Sequence, residues 1–384
     1  MNHPSRIVFA LALSFLIGVL IASWMQISIV VVAGVAIVGL AIYGMDVRRI
    51  IVGIFCIGLS LGMYAMRNYP PPIEYRVVHE HSSIIYQKIY TVRDWFLRNL
   101  KASLPEPHSA FIAGILIGAR SELPKSIIKE FQKTGTSHII AVSGYNITIV
   151  AKALLAVLLV VFARRYAFWA TIAGLVAFMI ITGAQASVVR ATIMGIAVLL
   201  ARHVGRLPTP LYTLLIAAGI MVALDPLILR YDIGFQLSFL ATFGILEVAP
   251  ILEDHMQWTK RLGVWGEVFV LTLSANICVL PLILYYFKIL SLVTLPVNMV
   301  ILPLIPATML VGFFSGMFHV LPVLGHIASY LTVLLSSVIL AVVHFFANLP
   351  GAILYLPIGA WSVVFLYSLL GLALFREYKK NVRA

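Results

Sequence analysis

The chain has 384 residues, of which 62% are hydrophobic and 11% are charged, and its formal net charge is +13. A soluble domain holds about 25% charged residues, so this composition excludes an ordinary soluble protein and predicts an integral membrane protein. Membrane proteins collect basic residues on cytoplasmic loops, so the net charge alone does not indicate a polyanionic partner.

Apolar runs long enough to cross a bilayer recur along the chain, and we predict an all-α, polytopic membrane protein with about twelve transmembrane helices. The first run is predicted to be a retained span, since no signal-peptide cleavage site follows it. The alternation of basic and neutral loops places both termini in the cytoplasm. The predicted spans are 7–23, 27–44, 50–66, 139–162, 167–182, 187–204, 210–224, 233–250, 264–285, 292–318, 323–347 and 358–375.

Four regions follow from this reading: three N-terminal spans (1–66), a short extracytoplasmic segment (67–137), a transmembrane core (138–375) and a basic cytoplasmic tail (376–384). Apolar residues from Ile85 to Leu100 recur at helical spacing, which predicts an amphipathic helix on the bilayer or on the transmembrane body. A second short helix is predicted from Pro124 to Gly135, with the glycine at the position after its C-cap.

That second helix carries a basic face, because Lys125, Lys129 and Lys133 follow one another at four-residue intervals. The face has two interpretations. It is a row of phosphate contacts at an outer mouth, or it is the solvated side of an amphipathic helix.

The next segment, KTGTSHIIAVSGYNIT, places His138, Ser143, Gly144 and Asn146 where a membrane helix would carry only apolar residues. Polar groups at that depth are costly unless protein or a water-filled cavity satisfies them, so we predict that they line a passage. His138 has no visible base–nucleophile partner and no neighbours at metal-ligand spacing, which favours a channel-lining or structural role over catalysis. Ser143 and Gly144 indicate either close helix packing or a break in the backbone.

Three further polar groups of residues interrupt apolar runs. Arg190 lies about a turn inside a span, where an arginine is a functional candidate unless it snorkels to the interface, and Gln185 and Ser187 precede it. The span 292–318 is interrupted by prolines and is predicted to be two half-helices or a re-entrant segment. The other candidates for lining a passage are Asp232, Gln236 and Ser238 in one span, Asn276 in the span before the broken one, and Asn298 in the broken span itself.

No Walker A loop is present, and we predict no metal, no cofactor and no enzymatic activity. Four blocks occur in order between about Ile112 and Pro306: GILIGARSELPKSIIKEFQKTGTSHIIAVSG, GAQASVVRA, DIGFQLSFLATFG and LPLILYYF…PVNMVILPLIP. In sequence and spacing they resemble the competence domain of the ComEC-type membrane proteins. The resemblance implies a channel in the bacterial cytoplasmic membrane that passes one strand of transforming DNA inward. Separate nuclease, DNA-receptor and helicase proteins are implied as partners, besides single-stranded DNA and lipid.

The chain departs from the ComEC-type pattern in two respects. It looks like a core-only form, without the OB-like and β-lactamase-like domains, and Asn146 stands where the family usually has histidine. A hydrogen-bonding role survives that change, whereas a role that needs imidazole does not. Three other functions stay open: a secondary transporter for a small anionic solute, an intramembrane enzyme built on His138, Ser143 and Arg190, and a diverged paralogue without DNA uptake activity.

Overall fold

The computed structural model describes residues 4–24, 28–43, 50–67, 84–206, 209–318 and 321–383. The predicted extracytoplasmic segment 67–137 is therefore described from residue 84 onward, with Arg67 closing the helix before the gap. Apart from one small β-ladder, the regular structure of this part of the chain is helical. The all-α, polytopic prediction is confirmed.

The helices are numbered in chain order. In the first half of the chain they are α1 (Pro4–Trp24), α2 (Ile29–Tyr43), α3 (Ile50–Arg67), α4 (Ile84–Ser103), α5 (His108–Ile117), α6 (Lys125–Lys133), α7 (Gly144–Val161), α8 (Arg164–Ile181) and α9 (Ala186–His203). In the second half they are α10 (Pro210–Leu224), α11 (Ile228–Tyr231), α12 (Ile233–Phe243), α13 (Ala249–His255), α14 (Val264–Tyr286), α15 (Thr294–Ile301), α16 (Ile305–Met317), α17 (Pro322–Ala347) and α18 (Ala360–Arg383).

Eight helices of the described residues are long and apolar enough to cross a membrane: α1, α7, α8, α9, the continuous rod from α12 to α13, α14, α17 and α18. The pair α15 and α16, bent by 51° at a short break, gives a ninth if it counts as one span. The apolar stretches of α2, α3 and α10 are shorter than a full span. The predicted number of twelve is therefore not confirmed, although every predicted span coincides with an apolar helix or with the bent pair.

The described chain forms two compact units. The first comprises Met1–Glu80 and Val189–Phe239. In this unit α1 and α3 cross closely, because Gly58 and Gly62 present bare backbone to the side chain of Ser14 and to the carbonyl of Phe15. Small residues allow membrane helices to approach in this way. Helix α10 packs on the same α1, where Phe9 meets Tyr212 edge to face.

The second unit comprises His81–Val188 and Leu240–Ala384, and its core surrounds α5. Nine of the ten residues of α5 are buried, and Phe111, Ile112 and Ile115 are inaccessible to solvent. A ten-residue apolar helix is too short to span a bilayer and is typical of a buried core element. Helix α5 was not predicted from the sequence, since the whole of 67–137 was interpreted as an extracytoplasmic segment.

The predicted amphipathic helix is α4, and it packs on the body of the second unit. Phe96 and Leu100 are buried against α16, where Gly316 leaves room for both side chains. The hydroxyl of Ser103 also donates to the carbonyl of Ser315, at 3.2 Å. Two environments were predicted for this apolar stripe, the bilayer and the transmembrane body. In the structure the stripe packs on the body.

A small β-ladder was not predicted from the sequence. Strands β1 (Ile289–Ser291) and β2 (Ile353–Tyr355) form an antiparallel ladder in which Leu290 lies opposite Leu354. This ladder joins the segment before α15 to the segment before α18, which are far apart in sequence. It fixes the chain just before the bent pair of helices begins.

Candidate functional site

The turn between α6 and α7 contains the first polar block and is held by two sets of contacts. Helix α6 ends in a Schellman motif: the N–H of Thr136 bonds the carbonyl of Phe131, and the N–H of Gly135 bonds that of Gln132. Gly135 has a φ of +69°, as the sequence predicted for the position after the C-cap. A Cβ on Gly135 would overlap the hydroxyl of Thr294 at the start of α15. The turn therefore lies directly against the first half of the bent pair.

Asn146 connects the start of α7 to the end of α5. Its Nδ2 donates to the carbonyl of Ile115 at 3.0 Å, and its Oδ1 accepts from the hydroxyl of Ser143 at 3.1 Å. Ser143 is also the N-cap residue of α7, since its hydroxyl accepts the N–H of Asn146. The amide thus satisfies one of the carbonyls that a helix end leaves without a partner. The side chain is buried, and whether it lines a passage stays a prediction.

The start of α9 adds a third contact to this turn. The hydroxyl of Ser187 donates to the carbonyl of Val142 at 2.9 Å. Gln185 lies beside Gly118, the C-cap residue of α5, whose φ is +73°. Ser143, Asn146 and Ser187 are thereby brought together around an irregular backbone within the second unit. Irregular backbone inside a membrane protein persists only where such groups satisfy it.

Other predicted residues of the second unit lie outside the contacts of Asn146 and Ser187. His138 lies in the turn, where its side chain hydrogen-bonds the backbone of Gly135, and Gly144 is the first residue of α7. Asn298 is 3% exposed on the first half of the bent pair, and its Oδ1 has no hydrogen-bond partner among the described residues. Asn276 is half-buried within α14. No group of three His, Cys, Asp or Glu side chains able to hold a metal occurs in the part of the chain that is described.

In the first unit, Arg190 is buried in α9, about one helical turn after the helix begins at Ala186. Its Nη1 donates to the carbonyl of Ser238, and its guanidinium carbon lies 5.8 Å from the centroid of the Phe239 ring. The side chain is only 7% exposed, which does not fit the alternative that it snorkels to the membrane interface. An arginine buried at this position is an expensive feature for a membrane protein, which makes it a functional candidate.

Asp232 and Gln236 have local structural partners in the same unit. The carboxylate of Asp232 accepts the N–H of Phe235 at 2.9 Å and so caps α12. The amide of Gln236 donates to the carbonyls of Leu229 and Arg230, at 3.0 and 2.8 Å, and closes the end of α11. These two polar residues therefore shape the turn between α11 and α12.

The three lysines of α6 lie on the outside of the second unit. Lys125, Lys129 and Lys133 are all exposed, opposite the buried Phe131. Between them, Glu130 pairs with His344 at 2.9 Å and ties α6 to the end of α17. These observations are consistent with both interpretations of the basic face.

A neighbouring ion pair lies on the same unit. Lys101 bonds Glu122 at 2.7 Å, and this hydrogen bond raises the pKa of Lys101 above its usual value.

One further candidate, not predicted from the sequence, is Lys152, the charged side chain within the apolar helix α7. It is exposed, as are Tyr145 and Thr148 toward the start of the same helix. The signal was available in the sequence, because a lone lysine among seventeen uncharged residues of a predicted span is itself a functional indication.

Comparison with known proteins finds a family and one curated relative. Residues 115–380 match the family model described as Competence protein. The chain is 25% identical over 230 residues to ComE operon protein 3 of Bacillus subtilis (strain 168), and this match covers 60% of the chain and 29% of that relative. No solved structure matches the chain significantly. Since the family match extends over more than half of its residues, the chain belongs to the competence protein family, as its ComEC-type blocks predicted.

Proposed function

We propose that this protein is the channel through which single-stranded transforming DNA enters the cytoplasm. The observation that carries the proposal is the competence-family match over 115–380, because this range contains the Ser143–Asn146 turn, Arg190 and the bent helix pair. The relative named above is matched over 29% of its length, so its activity as a whole is no guide beyond this shared core.

The charge distribution supports a polyanionic cargo. A single strand carries one negative charge per nucleotide and is attracted to basic side chains that track its backbone. The exposed face of Lys125, Lys129 and Lys133 offers such charges on the segment predicted to lie outside the membrane. A conducting site must also release its cargo, so a sparse basic lining suits the function better than a dense one.

In this proposal the chain is a channel and not an enzyme, and it lies in the bacterial cytoplasmic membrane with both termini in the cytoplasm. Strand separation and pulling fall to separate proteins: a DNA receptor and a nuclease outside, and a helicase inside. In this proposal the turn at Ser143 to Asn146 supports irregular backbone that forms the passage, and Arg190 is a separate candidate residue that transport requires.

The test is transformation of a naturally competent host with marked DNA after deletion of the gene. The proposal expects that deletion blocks entry of DNA into the cytoplasm, that wild type restores it, and that Arg190→Ala does not. The matched control is Arg202→Ala, which removes an exposed arginine from the last turn of the same helix and should restore uptake. Unchanged transformation after deletion would sink the DNA proposal and leave a diverged member of the family.

The bent pair α15 and α16 favours a second candidate, a secondary transporter for a small anionic solute. Transporters often build their sites at broken helices near the middle of the bilayer. The buried amide of Asn298, whose Oδ1 has no partner in the described part of the chain, lies on such a helix. If deletion leaves transformation intact but abolishes accumulation of an anionic solute, this candidate replaces the first.

A further inference from the structure

Lys152 lies at the middle of α7, two helical turns or more from either end. The helix has 18 residues and is about 27 Å long, close to the roughly 30 Å thickness of the hydrocarbon core of a bilayer. The Cα of Lys152 is therefore about 12 Å from the nearer end of the helix. That distance exceeds what the four-carbon stem of a lysine can span by snorkelling.

The neighbouring helix α8 does not cover this side chain. Helix α8 meets α7 where Gly174 faces the side chain of Leu154. Leu154 follows Lys152 by two residues, and two residues correspond to about 200° around a helix, so Lys152 lies on the side away from α8. The side chain is exposed, and no hydrogen bond or ion pair of its ammonium group is found among the described residues.

Two polar residues share this face of α7. Tyr145, Thr148 and Lys152 fall within an arc of about 60°, and all three are exposed. The hydroxyl of Thr148 donates to the carbonyl of Gly144 at 3.0 Å, and its oxygen adds a polar atom to this face of the helix. The stripe begins at the turn that Ser143 and Asn146 hold in place and extends to the middle of the span.

An ammonium group in this position cannot face lipid, because charged side chains at membrane depth face water or a partner. We propose that the Tyr145–Thr148–Lys152 face lines a water-filled passage and that Lys152 binds phosphate groups moving along it. Lysine suits this task because its ammonium is a compact, hydrated charge that holds phosphate without fixing its orientation. The identity of the phosphate carrier as a single DNA strand rests on the proposed function, and the exposed ring of Tyr145 then gives its bases a stacking surface.

Cysteine accessibility tests the passage without any assumption about DNA. In a background carrying Cys56→Ala and Cys278→Ala, Lys152→Cys and Val157→Cys are each treated with a charged, membrane-impermeant thiosulfonate reagent. Val157 is a matched control because it is 64% exposed on the same helix, about 140° from Lys152. A water-filled passage predicts that Lys152→Cys reacts at least about ten-fold faster than Val157→Cys. Equal, slow rates at both positions would overturn the proposal.

A protection experiment identifies what Lys152 binds. With Thr148→Cys as reporter, single-stranded oligonucleotide should slow the labelling several-fold, Lys152→Arg should keep this protection and Lys152→Gln should remove it. Protection that persists in Lys152→Gln would show that Lys152 is not the phosphate contact. Protection by inorganic phosphate but not by oligonucleotide, again dependent on Lys152, would support the phosphate site while contradicting the DNA channel, so the two proposals fail separately.

Discussion

Gly135→Ala should destabilise the protein through two separate effects that the structure allows to be measured apart. Gly135 has a left-handed backbone, with a φ of +69°, and it lies against Thr294 at the start of α15. An alanine there must adopt an unfavourable backbone conformation, and its Cβ must also displace the hydroxyl of Thr294. Only the second effect depends on how the turn packs against the bent helix pair.

The magnitudes follow from these two effects. Left-handed backbone costs a non-glycine residue about 1–2 kcal/mol, and overpacking a closely packed site costs a further 1–3 kcal/mol or so. Gly205 supplies the control, because its φ is +73° and a Cβ there would meet no atom within 4 Å. Gly205→Ala should therefore show the first cost alone, and Gly135→Ala about 2–5 kcal/mol in total.

The assay is unfolding of the purified protein in detergent, by heat or by denaturant. The measured signal is the fraction of protein that remains monodisperse. Thr294→Ala should restore part of the stability lost in Gly135→Ala, since residues in contact do not behave additively. Equal losses of stability in Gly135→Ala and Gly205→Ala would refute this reasoning. An effect of Thr294→Ala that is the same in the wild-type protein and in Gly135→Ala would also refute it.

Three further variants test the contacts around the irregular turn and the helix that packs nearby. Asn146→Ala leaves the buried carbonyl of Ile115 without its donor and should cost about 1–3 kcal/mol, whereas Asn146→His keeps a donor and should be tolerated; unfolding in denaturant compares them. Ser187→Ala should lower the free energy of unfolding by about 1 kcal/mol, because it removes the hydrogen bond to the carbonyl of Val142. A substitution on the exposed surface of the same helix should leave that free energy unchanged. Gly316→Ala should lower the thermal midpoint, because its Cβ would lie 2.6 Å from an aromatic ring of α4. A neutral result for Gly316→Ala would contradict the packing of α4 on α16.

The parts of the fold that the sequence predicted are those decided locally. The end of α6 just before Gly135 could be predicted, because a glycine after a short amphipathic helix typically takes the left-handed conformation that follows the C-cap. The interruption of the span 292–318 could be predicted, because a proline removes a helix hydrogen bond and clashes with the preceding turn. The long spans followed from hydropathy alone, which reports environment over about 20 residues.

What the sequence could not predict depends on partners distant in the chain. Helix α5 is apolar because it is enclosed by other helices, and its ten residues gave neither a span nor an amphipathic period. The pairing of β1 with β2 joins segments more than sixty residues apart. Asn146 was identified as polar and hydrogen-bonding, but the identity of its acceptor, the carbonyl of Ile115, required the fold.

The most direct test of the central claim is to capture the strand inside the protein during uptake. A photo-reactive phenylalanine analogue is placed at Tyr145, on the exposed polar face of α7, or at Val157 on another face of the same helix, and labelled DNA is supplied to competent cells. The account predicts crosslinks from Tyr145 to one strand of the incoming DNA and none from Val157. Transformation that proceeds normally without a crosslink at either position would contradict it.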